Sequence, residues 1–500
     1  MNHEPICISD KLDTQSIIQE VKRQASANKK LNSNFVKHVL VLDNEKRVSS
    51  ILDFSLLISS ANDKYNIAIF GMGFVGITLA ASFSNNGYQV TGIDINEKIL
   101  SNLKQGIPHI HEPGLQEILK NSLKRKTISF SSQLNNSEHN IYIISVGTPI
   151  GKDLKPDLSS LRVVVEDLAN FLKFGDHVML RSTVPLGTTR NFVIPTLENI
   201  SGLRAGKDFK ISFAPERTVE GNALVELQNL PQIIGGYSSE CLKHSVDFWV
   251  NLTQSVVKVE SIESAELVKL ANNTFRDLSF AFSNELAMLG AEFNINSFEL
   301  INAANEGYPR NKIPLPSPGV GGYCLTKDPL LFSTNFNGGK NSTSLGIKSR
   351  EVNKKAANYP LMIIRKFSQR FNMELSNLNV LILGVAFKGQ PETNDYRQSI
   401  SIDIFNEIKN LVNRVEAIDQ VINEKELLNL GFYKSKSKVN AHKDADVILI
   451  LNNHPGNISS HIYSSSVRPK LIFDGWGMLN KSTVENSQNL IYATMGYITP

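Results

Sequence analysis

The segment from residue 66 to residue 96, NIAIFGMGFVGITLAASFSNNGYQVTGIDIN, strongly constrains the fold of this chain. An apolar run ends at Phe70, an apolar helical pattern begins a few residues later, and between them lie the GxGxxG glycines Gly71, Gly73 and Gly76. A second apolar run, Gln89 to Ile93, ends on Asp94. This order predicts a dinucleotide-binding fold, in which glycines admit a pyrophosphate to a helix N-terminus and the acid binds ribose hydroxyls. A glycine turn without a ligand is the alternative, which both strands and Asp94 in register disfavour.

Polar residues follow three later apolar runs. NIYIISVGTP, DHVMLRSTVPLGTT and FKISFAPERTVEG each read as a strand, with predicted ends at Thr148, at Thr183 and near Glu216. Because ligands of open parallel sheets bind beyond the carboxyl ends of the strands, these polar ends predict one crevice. Each threonine could instead cap a helix, a common role for Thr after a strand.

Residues 261 to about 292 form a long helical pattern without glycine or proline until Gly290. Lys269 and Asn273 are four residues apart, so a helix places them on one face, with Glu266 one turn earlier. Apolar residues on the other faces predict a helix that is buried on several sides, as a helix between two domains would be. The alternative is that Lys269 is a solvated charge paired with Glu266.

The stretch GVGGYCLTKDP, from Gly319 to Pro329, holds Cys324 in a setting unusual for a buried core thiol. A cysteine is a nucleophile only as its thiolate, which a nearby lysine or helix start favours and apolar burial disfavours. Lys327 lies close by, the upstream glycines remove side chains, and Asp328 shares the face of Cys324 if the segment is helical. We predict a reactive cysteine, with a glycine-rich turn before a small buried residue as the alternative.

A second α/β pattern occupies the C-terminal part of the chain. It begins with LNVLILGVAFKGQPETNDYRQS and continues through a helix and further strands, which predicts a parallel sheet covered by helices. The pattern lacks a second GxGxxG. Its first polar loop carries Lys388 and Arg397, which suits an anionic ligand other than the dinucleotide; ordinary loop charges are the alternative.

Residues 1 to about 64 form a separate N-terminal extension. The run KHVLVLDNEKRVSSILDFSLLISS predicts a strand, an Asp-Asn turn, a second strand and a helix. This arrangement resembles half of a CBS-type nucleotide-sensing module. A small docking or oligomerisation appendage without a ligand is the alternative.

Length and composition set broad limits on the class of protein. Five hundred residues predict two or three domains, and 41% hydrophobic with 20% charged residues indicates a globular chain. The net charge of +4 does not indicate nucleic acid, and no CxxC or HExxH spacing suggests a metal. Three distant cysteines suit a reducing compartment, the first residues lack a secretory pattern, and no apolar run approaches the roughly 20 residues of a membrane span. We expect a cytoplasmic protein without a membrane or nucleic-acid partner.

Seven segments in order resemble the nucleotide-sugar 6-dehydrogenase family. They are GMGFVG, VGTP, STVPLGTT, APERTVEG, AELVKLANNTF, GVGGYCLTKDP and LGVAFKGQPETNDYRQS, and they cover about residues 66 to 490. The resemblance implies an α/β fold of two Rossmann-like, doubly wound parallel-sheet domains joined by a long central helix, with NAD on the first and a sugar nucleotide between them. We therefore expect an N-terminal extension at residues 1–64 and an NAD-binding domain at 65–260. A central helical domain at 261–375 would carry the loop of the catalytic Cys324, and a sugar-nucleotide domain would follow at 376–500.

The resemblance also implies roles for individual residues. Cys324 resembles the nucleophile, Lys269, Asn273 and Asp328 resemble its polar partners, and Thr148 and Glu220 resemble the groups that place a catalytic water. NAD contacts are implied for Gly71, Gly73, Phe74, Val75, Gly76, Asp94, Thr148, Thr183 and Lys327. Contacts to the UDP-sugar are implied for Glu216, Arg217, Lys269, Asn273, Arg310, Gly321, Lys388 and Arg397, although the spacing from Lys388 to Arg397 is longer than in many relatives.

The implied reaction is a four-electron oxidation of the C6 hydroxyl of a UDP-sugar to the uronic acid, through a cysteine thiohemiacetal and thioester, for surface polysaccharide precursors. Where glucose-oxidising members tend to have an apolar residue, this chain has Arg217, the form of the N-acetylhexosamine branch. The alternatives are a UDP-glucose 6-dehydrogenase, a two-electron 3-hydroxyacid dehydrogenase and a nucleotide-sensing protein with an inactive dehydrogenase core. We also expect a homodimer or higher homo-oligomer formed through the central helix.

Overall fold

The computed structural model describes residues 6–12, 16–17, 20–21, 24, 38–53, 65–135, 138–151, 155–310, 312–334, 344–435 and 437–500. The chain divides into two units, Met1–Lys269 and Leu270–Pro500. The division into four segments that the sequence predicts stays a prediction.

A small sheet lies in the N-terminal extension. Its strands are β1 (Cys7–Ser9), β2 (His38–Leu42) and β3 (Val48–Asp53), in the order β1-β2-β3. β1 and β2 are parallel, whereas β2 and β3 form an antiparallel hairpin whose turn is closed by Asp43, because its Oδ1 accepts from the backbone N–H groups of Glu45 and Arg47 at 2.9 Å. The predicted strand, turn and strand are confirmed, and the helix predicted after them lies outside the described residues.

An eight-stranded sheet forms the core of the first unit. Its strands are β4 (Asn66–Phe70), β5 (Gln89–Ile93), β6 (Ile128–Ser131), β7 (Ile141–Ile144), β8 (His177–Leu180), β9 (Lys210–Phe213), β10 (Gln232–Gly236) and β11 (Val256–Val259). The order β6-β5-β4-β7-β8-β9-β10-β11 begins with the 3-2-1-4-5-6 order of dinucleotide-binding folds. The strand order reverses between β4 and β7, which are parallel to each other. One pair, β9 and β10, is antiparallel, which departs from the parallel pairing that the sequence predicts.

Helices cover both faces of this sheet, so the inner strands are buried on both sides. β7 and β8 are buried along their whole length, and two apolar clusters pack around the sheet. The helices of this unit are Phe74–Asn85, Glu97–Lys104, Leu115–Arg125, Ser159–Ala169, Ile194–Ser201, Ala223–Asn229 and Ser239–Trp249. The central helix, Ile262–Gly290, then runs from the first unit into the second, close to the predicted bounds.

The second unit contains a six-stranded sheet. Its strands are β12 (Asn379–Leu383), β13 (Arg414–Ile418), β14 (Val447–Ile450), β15 (Lys470–Asp474), β16 (Leu490–Thr494) and β17 (Tyr497–Ile498), in the order β13-β12-β14-β15-β16-β17. This is the 2-1-3-4-5 order of doubly wound sheets, with an antiparallel edge strand added. Its helices are Ser297–Asn305, Tyr323–Ser333, Leu345–Ala357, Tyr359–Arg370, Ile400–Ile408, Glu424–Asn429, Lys438–Asp444 and Lys481–Glu485.

The strands end earlier than the sequence predicts. β7, β8 and β9 end at Ile144, Leu180 and Phe213, so Thr148, Thr183 and Glu216 lie in the loops that follow. These three polar residues therefore follow the last residues of their strands by three or four positions. Among the described residues, no helix has both the length and the hydropathy that crossing a lipid bilayer requires.

Candidate functional site

The three glycines of the GxGxxG turn differ in backbone conformation and in the space around them. Gly71 has a φ of +89°, a left-handed conformation that favours glycine, and its N–H donates to the carbonyl of Ile93 at 2.7 Å. A Cβ on Gly76 would lie 1.8 Å from the carbonyl oxygen of Gly71, so the helix packs directly on the turn. A Cβ on Gly73 would meet nothing within 4 Å. The space beside Gly73 is therefore open, as the approach of a ligand to the backbone would require.

Asp94 is joined to this turn by its carboxylate. Its Oδ2 accepts from the N–H of Met72 at 2.7 Å, and its Oδ1 accepts from the N–H of Asn96 at 2.8 Å. Each carboxylate oxygen has a second acceptor site, which is available to a ribose hydroxyl. The helix Phe74–Asn85 has no side-chain cap at its N-terminus, so its first N–H groups suit a pyrophosphate. The residues present therefore fit a dinucleotide.

The loops after β7 and β8 are bonded to each other. The hydroxyl of Thr148 donates to the carbonyl of Thr183, and the hydroxyl of Ser182 donates to the carbonyl of Val146 at 2.7 Å. Thr148 is buried and Thr183 is half-buried. The structure thus brings together two of the three polar strand ends that the sequence predicts to meet.

The loop after β9 is held to the end of β8 by a buried ion pair. Nη2 of Arg181 lies 2.6 Å from Oε2 of Glu216, while Oε1 of Glu216 accepts from the N–H groups of Arg217 and Thr218, each at 2.7 Å. Burial alone would raise the pKa of the Glu216 carboxyl, but the Arg181 charge, the Thr218 N–H and the Lys269 charge outweigh it and hold that pKa below its usual range. Glu216 therefore shapes the turn that carries Arg217 and Glu220.

Two further carboxylates support this turn from outside. Glu112 accepts from the N–H of Gly221 at 2.8 Å and from the N–H of Leu224 at 3.2 Å, and Glu226 accepts from the N–H of Val219 at 2.7 Å. Arg217 donates from Nη1 to the carbonyl of Pro231 at 3.3 Å, and Glu220 is half-buried in the turn. The turn is thus defined by backbone hydrogen bonds on both sides of Glu220.

Lys269 and Glu266 do not form the solvated pair that the sequence left open as an alternative. Glu266 is buried, and its carboxylate accepts from the N–H of Gly187 at 2.6 Å and from the N–H and hydroxyl of Thr189 at 2.9 and 2.6 Å. Lys269 is only 8% exposed and lies near enough to Glu216 to lower the pKa of that carboxyl. The alternative is wrong because both side chains are buried and Glu266 is engaged by another loop.

In the second unit, Cys324 lies in the first turn of the cysteine helix, Tyr323–Ser333, and is exposed. The helical turn that would place Asp328 on the same face as Cys324 is thus confirmed. Asp328 is fully buried one turn later: its Oδ2 accepts from Nδ2 of Asn273 at 2.6 Å, and its Oδ1 lies 2.7 Å from Nζ of Lys327. The positive end of the helix dipole favours an anionic sulfur at Cys324.

The ring of Tyr323 contacts two cations. Nζ of Lys327 is 5.5 Å from the centre of its ring, and the guanidinium carbon of Arg397 is 5.0 Å from it. Burial raises the pKa of Tyr323, although the charges of Lys327 and Arg397 oppose this. Arg397 also makes a bidentate contact with Asp395, with Nη2 2.6 Å from Oδ2. The residue before the cysteine is thereby packed against the polar loop that follows β12.

The glycines before Cys324 admit this neighbouring loop. A Cβ on Gly321 would lie 2.6 Å from the carbonyl oxygen of Gln398, and a Cβ on Gly322 would lie 2.6 Å from the ring of Phe387. The N–H of Gly322 donates to the carbonyl of Gln398 at 3.1 Å. The sequence predicts that these glycines give a substrate access to the sulfur, whereas in the structure they allow two loops to pack closely.

Lys388 and Arg310 lie in different surroundings within this unit. Lys388 is half-buried with Nζ 5.4 Å from the ring centre of Phe387, and the backbone N–H groups of the next two residues donate to Oδ1 of Asn453 at 2.9 and 3.1 Å. Arg310 is exposed in a turn after the helix Ser297–Asn305, with its guanidinium over Tyr308. Their roles at a sugar nucleotide stay predictions.

Three regions of the chain match one protein family. The NAD binding domain of the UDP-glucose/GDP-mannose dehydrogenase family matches residues 65–253, its central domain matches 263–355 and its UDP binding domain matches 381–481. The UDP-N-acetyl-D-mannosamine dehydrogenase of Pyrococcus horikoshii is 32% identical over 421 residues, which are 84% of this chain and 97% of that protein. The chain belongs to the UDP-glucose/GDP-mannose dehydrogenase family. It is an NAD-dependent nucleotide-sugar dehydrogenase, as the resemblance implied.

Solved structures of this family have the same fold. A UDP-D-ManNAc dehydrogenase of Pyrococcus horikoshii has a TM-score of 0.75 at 30% identity and covers 86% of this chain and 99% of its own. A UDP-glucose dehydrogenase of Pyrobaculum islandicum has a TM-score of 0.75 at 25% identity and covers 87% and 98%. Since structures named for two different sugars match equally well, the fold is common to both specificities.

Sequence reasoning missed several residues that hold these loops of the dehydrogenase. Each contacts partners far away in the chain, so no short motif marks it; they are Glu112, Arg181, Asp277 and Arg350. One signal was available for Asp277, because it lies four residues after Asn273 on the same helical face.

The contrast between Gly73 and Gly76 gives a first prediction. Gly73→Ala should leave the thermal unfolding midpoint unchanged, because its Cβ would meet no protein atom within 4 Å. It should raise the KM for NAD about tenfold or more, because the Cβ would enter the space where we expect the pyrophosphate. Gly76→Ala should destabilise the unit itself by about 1–3 kcal/mol, because its Cβ meets the backbone of Gly71. Calorimetry and NAD kinetics on both variants test this. Equal loss of stability in the two would contradict it.

The buried pair at Glu216 gives a second prediction. Because the pKa of Glu216 is depressed in the folded protein, its contribution to stability is complete above its ordinary value of 4.5 and is lost as the pH falls through the lower folded value. Glu216→Gln leaves the buried Arg181 without its counter-charge, so the first unit should lose about 3–5 kcal/mol at pH 7, and the loss should shrink below pH 4.5.

The measurement is urea unfolding of the first unit followed by Trp249 fluorescence in a Trp476→Phe background. Trp249 packs on Arg181, with 4.7 Å from the guanidinium carbon to the ring centre, and the chain has two tryptophans. Glu117→Gln, at an exposed helical position of the same unit, is the control. A Glu216→Gln midpoint equal to the control at pH 7 would refute the pairing energy.

Proposed function

We propose that this dehydrogenase oxidises the C6 hydroxyl of a UDP-N-acetylhexosamine to the uronic acid, with Cys324 as the nucleophile. The observation that carries the proposal is the arrangement of an exposed Cys324 at a helix start, one turn before a buried Asp328 that is bonded to Asn273. The proposal includes the four-segment division of the chain, with the sugar nucleotide bound by residues 376–500.

The reaction needs a covalent step because an aldehyde has no second hydride to give until a nucleophile adds to its carbon. Two molecules of NAD, bound one after the other, would each supply a hydride acceptor, the first for the alcohol and the second for the adduct. The Cys324 thiolate forms a C–S bond to the aldehyde carbon and gives a thiohemiacetal, whose oxidation yields a thioester. Water then attacks the thioester carbon, the C–S bond breaks, and the acid leaves with the thiol restored.

Polar side chains would supply the remaining chemistry. Asn273 gives one amide N–H to Asp328, so its second N–H is available to the thiohemiacetal oxygen, and the Lys269 ammonium would add a charge there. Each such donor contributes about 3 kcal/mol of transition-state stabilisation in comparable sites. Asp328 would accept the proton, through water where needed. Thr148 and Glu220 would place the water that attacks the thioester.

The sugar is assigned from the names of relatives and from the turn of residues 215–218, which we call the PERT turn. This chain has Arg217 in that turn, and similar chains in Pyrococcus horikoshii and Campylobacter jejuni are named UDP-N-acetyl-D-mannosamine dehydrogenases. We place the enzyme in the cytoplasm, where it would supply precursors of surface polysaccharides. UDP-glucose is the competing substrate.

The third prediction tests reaction and substrate together. A panel of UDP-N-acetylglucosamine, its C2 and C4 epimers, UDP-glucose and GDP-mannose is incubated with NAD, and both NADH and acid are counted. An N-acetylhexosamine should have the highest kcat/KM and should yield two NADH per acid. A preference for UDP-glucose would refute the sugar assignment, and one NADH per substrate would refute the four-electron reaction.

Two cysteine variants complete this test. Cys324→Ala should bind NAD and the UDP-sugar as the wild type does and should form no acid, because the aldehyde cannot become a thiohemiacetal. Cys241→Ala removes a buried cysteine in the first unit and should keep the two-to-one ratio of NADH to acid. Acid formation by Cys324→Ala near the parental rate would remove Cys324 as the nucleophile.

We also propose that copies of this chain associate through the central helix. Phe275, Phe282 and Leu289 are 70%, 50% and 58% exposed and follow one another at intervals of seven residues. Residues seven apart lie on one helical face, so they form an apolar stripe of the kind that pairs with an identical stripe about a twofold axis.

The fourth prediction concerns the mass in solution. The wild type should sediment as a dimer or larger at micromolar concentration, and Phe282→Asp should shift it toward the monomer because a charge then faces the apolar stripe. Phe174→Asp, at a position 78% exposed in the first unit, should leave the mass unchanged. A monomeric wild type would refute the proposal.

A further inference from the structure

The central helix presents a buried polar face to its own unit. Asn273, Asp277 and Asn284 are 6%, 0% and 0% exposed, and their spacing of four and seven residues places them on one side of the helix. Buried amides and carboxylates are costly unless they are hydrogen-bonded. The partners of these three residues therefore show what this face holds in place.

Two of them bond to the segment that carries Cys324. Nδ2 of Asn273 donates to Asp328 at 2.6 Å, inside the cysteine helix, and Oδ1 of Asn284 accepts from the N–H of Ser317 at 2.9 Å. We call residues 317–322 the cysteine loop. The helix face thus holds the segment at the start of the loop and again beyond the cysteine.

Asp277 lies between these two points and reaches the loop through Arg350. Its Oδ1 lies 2.7 Å from Nη1 of Arg350 and accepts from Nδ2 of Asn353 at 2.8 Å, and its Oδ2 accepts from the hydroxyl of Ser349 at 2.6 Å. Nη2 of Arg350 donates to the carbonyl of Val320 at 3.2 Å. A fully buried carboxylate therefore orients a guanidinium whose other nitrogen holds the loop backbone.

The cysteine loop needs such a contact. Val320 is followed by Gly321 and Gly322, which have no side chains to fix their own conformation, and Gly322 has a φ of +87°. The orientation of the Val320 peptide affects how the chain enters the cysteine helix, which begins at Tyr323, one residue before Cys324. Rotation of that peptide would move the sulfur relative to any aldehyde bound beside it.

We propose that Asp277 and Arg350 are positioning residues for Cys324, acting through the Val320 carbonyl; this inference rests on the proposed role of Cys324 as the nucleophile. The pair does not touch the reacting atoms. It fixes the loop so that the thiolate meets the aldehyde before the aldehyde escapes or is hydrated. Its contribution therefore falls on formation of the thiohemiacetal and not on the first hydride transfer or on binding of the UDP-sugar.

The network contains its own matched control. Ser349 and Arg350 both donate to the Asp277 carboxylate, but only Arg350 also donates to Val320. Ser349→Ala removes one hydrogen bond from the buried carboxylate and leaves the contact to the loop in place. A purely stabilising role of the network predicts similar effects of both substitutions, whereas positioning predicts a specific effect of Arg350→Met.

The experiment measures how the aldehyde is partitioned between release from the enzyme and conversion to the acid. Wild type, Arg350→Met, Asp277→Asn and Ser349→Ala, each as the full chain, are assayed with NAD and the preferred UDP-sugar, with hydroxylamine present to capture released aldehyde. Arg350→Met should lower kcat for acid formation roughly 10- to 100-fold, as displacement of a reacting group by about 1 Å does, with KM for the UDP-sugar within about twofold. Captured aldehyde should rise and NADH per acid should exceed two.

Asp277→Asn keeps the shape of the side chain and weakens the charge-assisted bond to Arg350, so it should change the partition in the same direction by a smaller factor. If Arg350→Met does not fold, Asp277→Asn tests the inference in its place. Ser349→Ala should keep the wild-type partition. The inference is overturned if neither Arg350→Met nor Asp277→Asn changes the partition, or if Ser349→Ala changes it equally.

Cys324→Ala is assayed in parallel to separate this inference from the proposed function. Loss of acid in Cys324→Ala together with a wild-type partition in Arg350→Met overturns the positioning role alone. Acid formation by Cys324→Ala overturns the nucleophile, and with it the basis of this inference.

Discussion

Buried carboxylates hold the loops of this dehydrogenase by accepting hydrogen bonds from backbone N–H groups and from cations. Glu216 holds the PERT turn, Glu112 holds its far end, and Glu266 holds the loop of Gly187 and Thr189. A carboxylate has about four acceptor sites, so one buried acid can fix two or three peptide groups at once. Removal of such an acid would leave those N–H groups without their hydrogen-bond partner, which is why the loops depend on it.

The two large sheets share one turn geometry and use it differently. After β4 and after β12 a glycine with a φ of +89° donates to the last carbonyl of the neighbouring strand, and the acid that follows, Asp94 or Asp419, accepts from the next N–H at 2.7 Å. Asp419 also accepts from the N–H groups of Ala386, Val421 and Ile422, which fills its acceptor sites. In the second turn the position that corresponds to Gly73 is occupied by Ala386, which is buried, whereas the space beside Gly73 is open. The first turn thus suits a dinucleotide. In the second turn, which lacks GxGxxG, the hydrogen bonds of Asp419 hold the backbone.

Sequence reasoning located elements whose signals are local. The glycine turn with Asp94, the central helix and the helical turn that brings Asp328 below Cys324 all follow from spacing within about 30 residues. The partners that organise these elements are distant: 35 residues separate Arg181 from Glu216, and 73 separate Asp277 from Arg350. Such pairs depend on how the loops pack, which no periodicity in one chain reveals. The same holds for the antiparallel β10, whose apolar sequence fits either direction.

An exposed thiol can still be precisely placed if its backbone is held from several sides. Side chains could not do this for the residues just before Cys324, because Gly321 and Gly322 are packed so closely against Gln398 and Phe387 that any Cβ would clash. External hydrogen bonds replace them: Gln398 accepts from the N–H of Gly322, and Arg350 donates to the carbonyl of Val320. Further along, Asn273 holds Asp328. The sulfur is therefore exposed while the backbone before it is held by Gln398 and Arg350. In the proposed reaction this would separate access to the sulfur from its positioning, as preorganised catalysis requires.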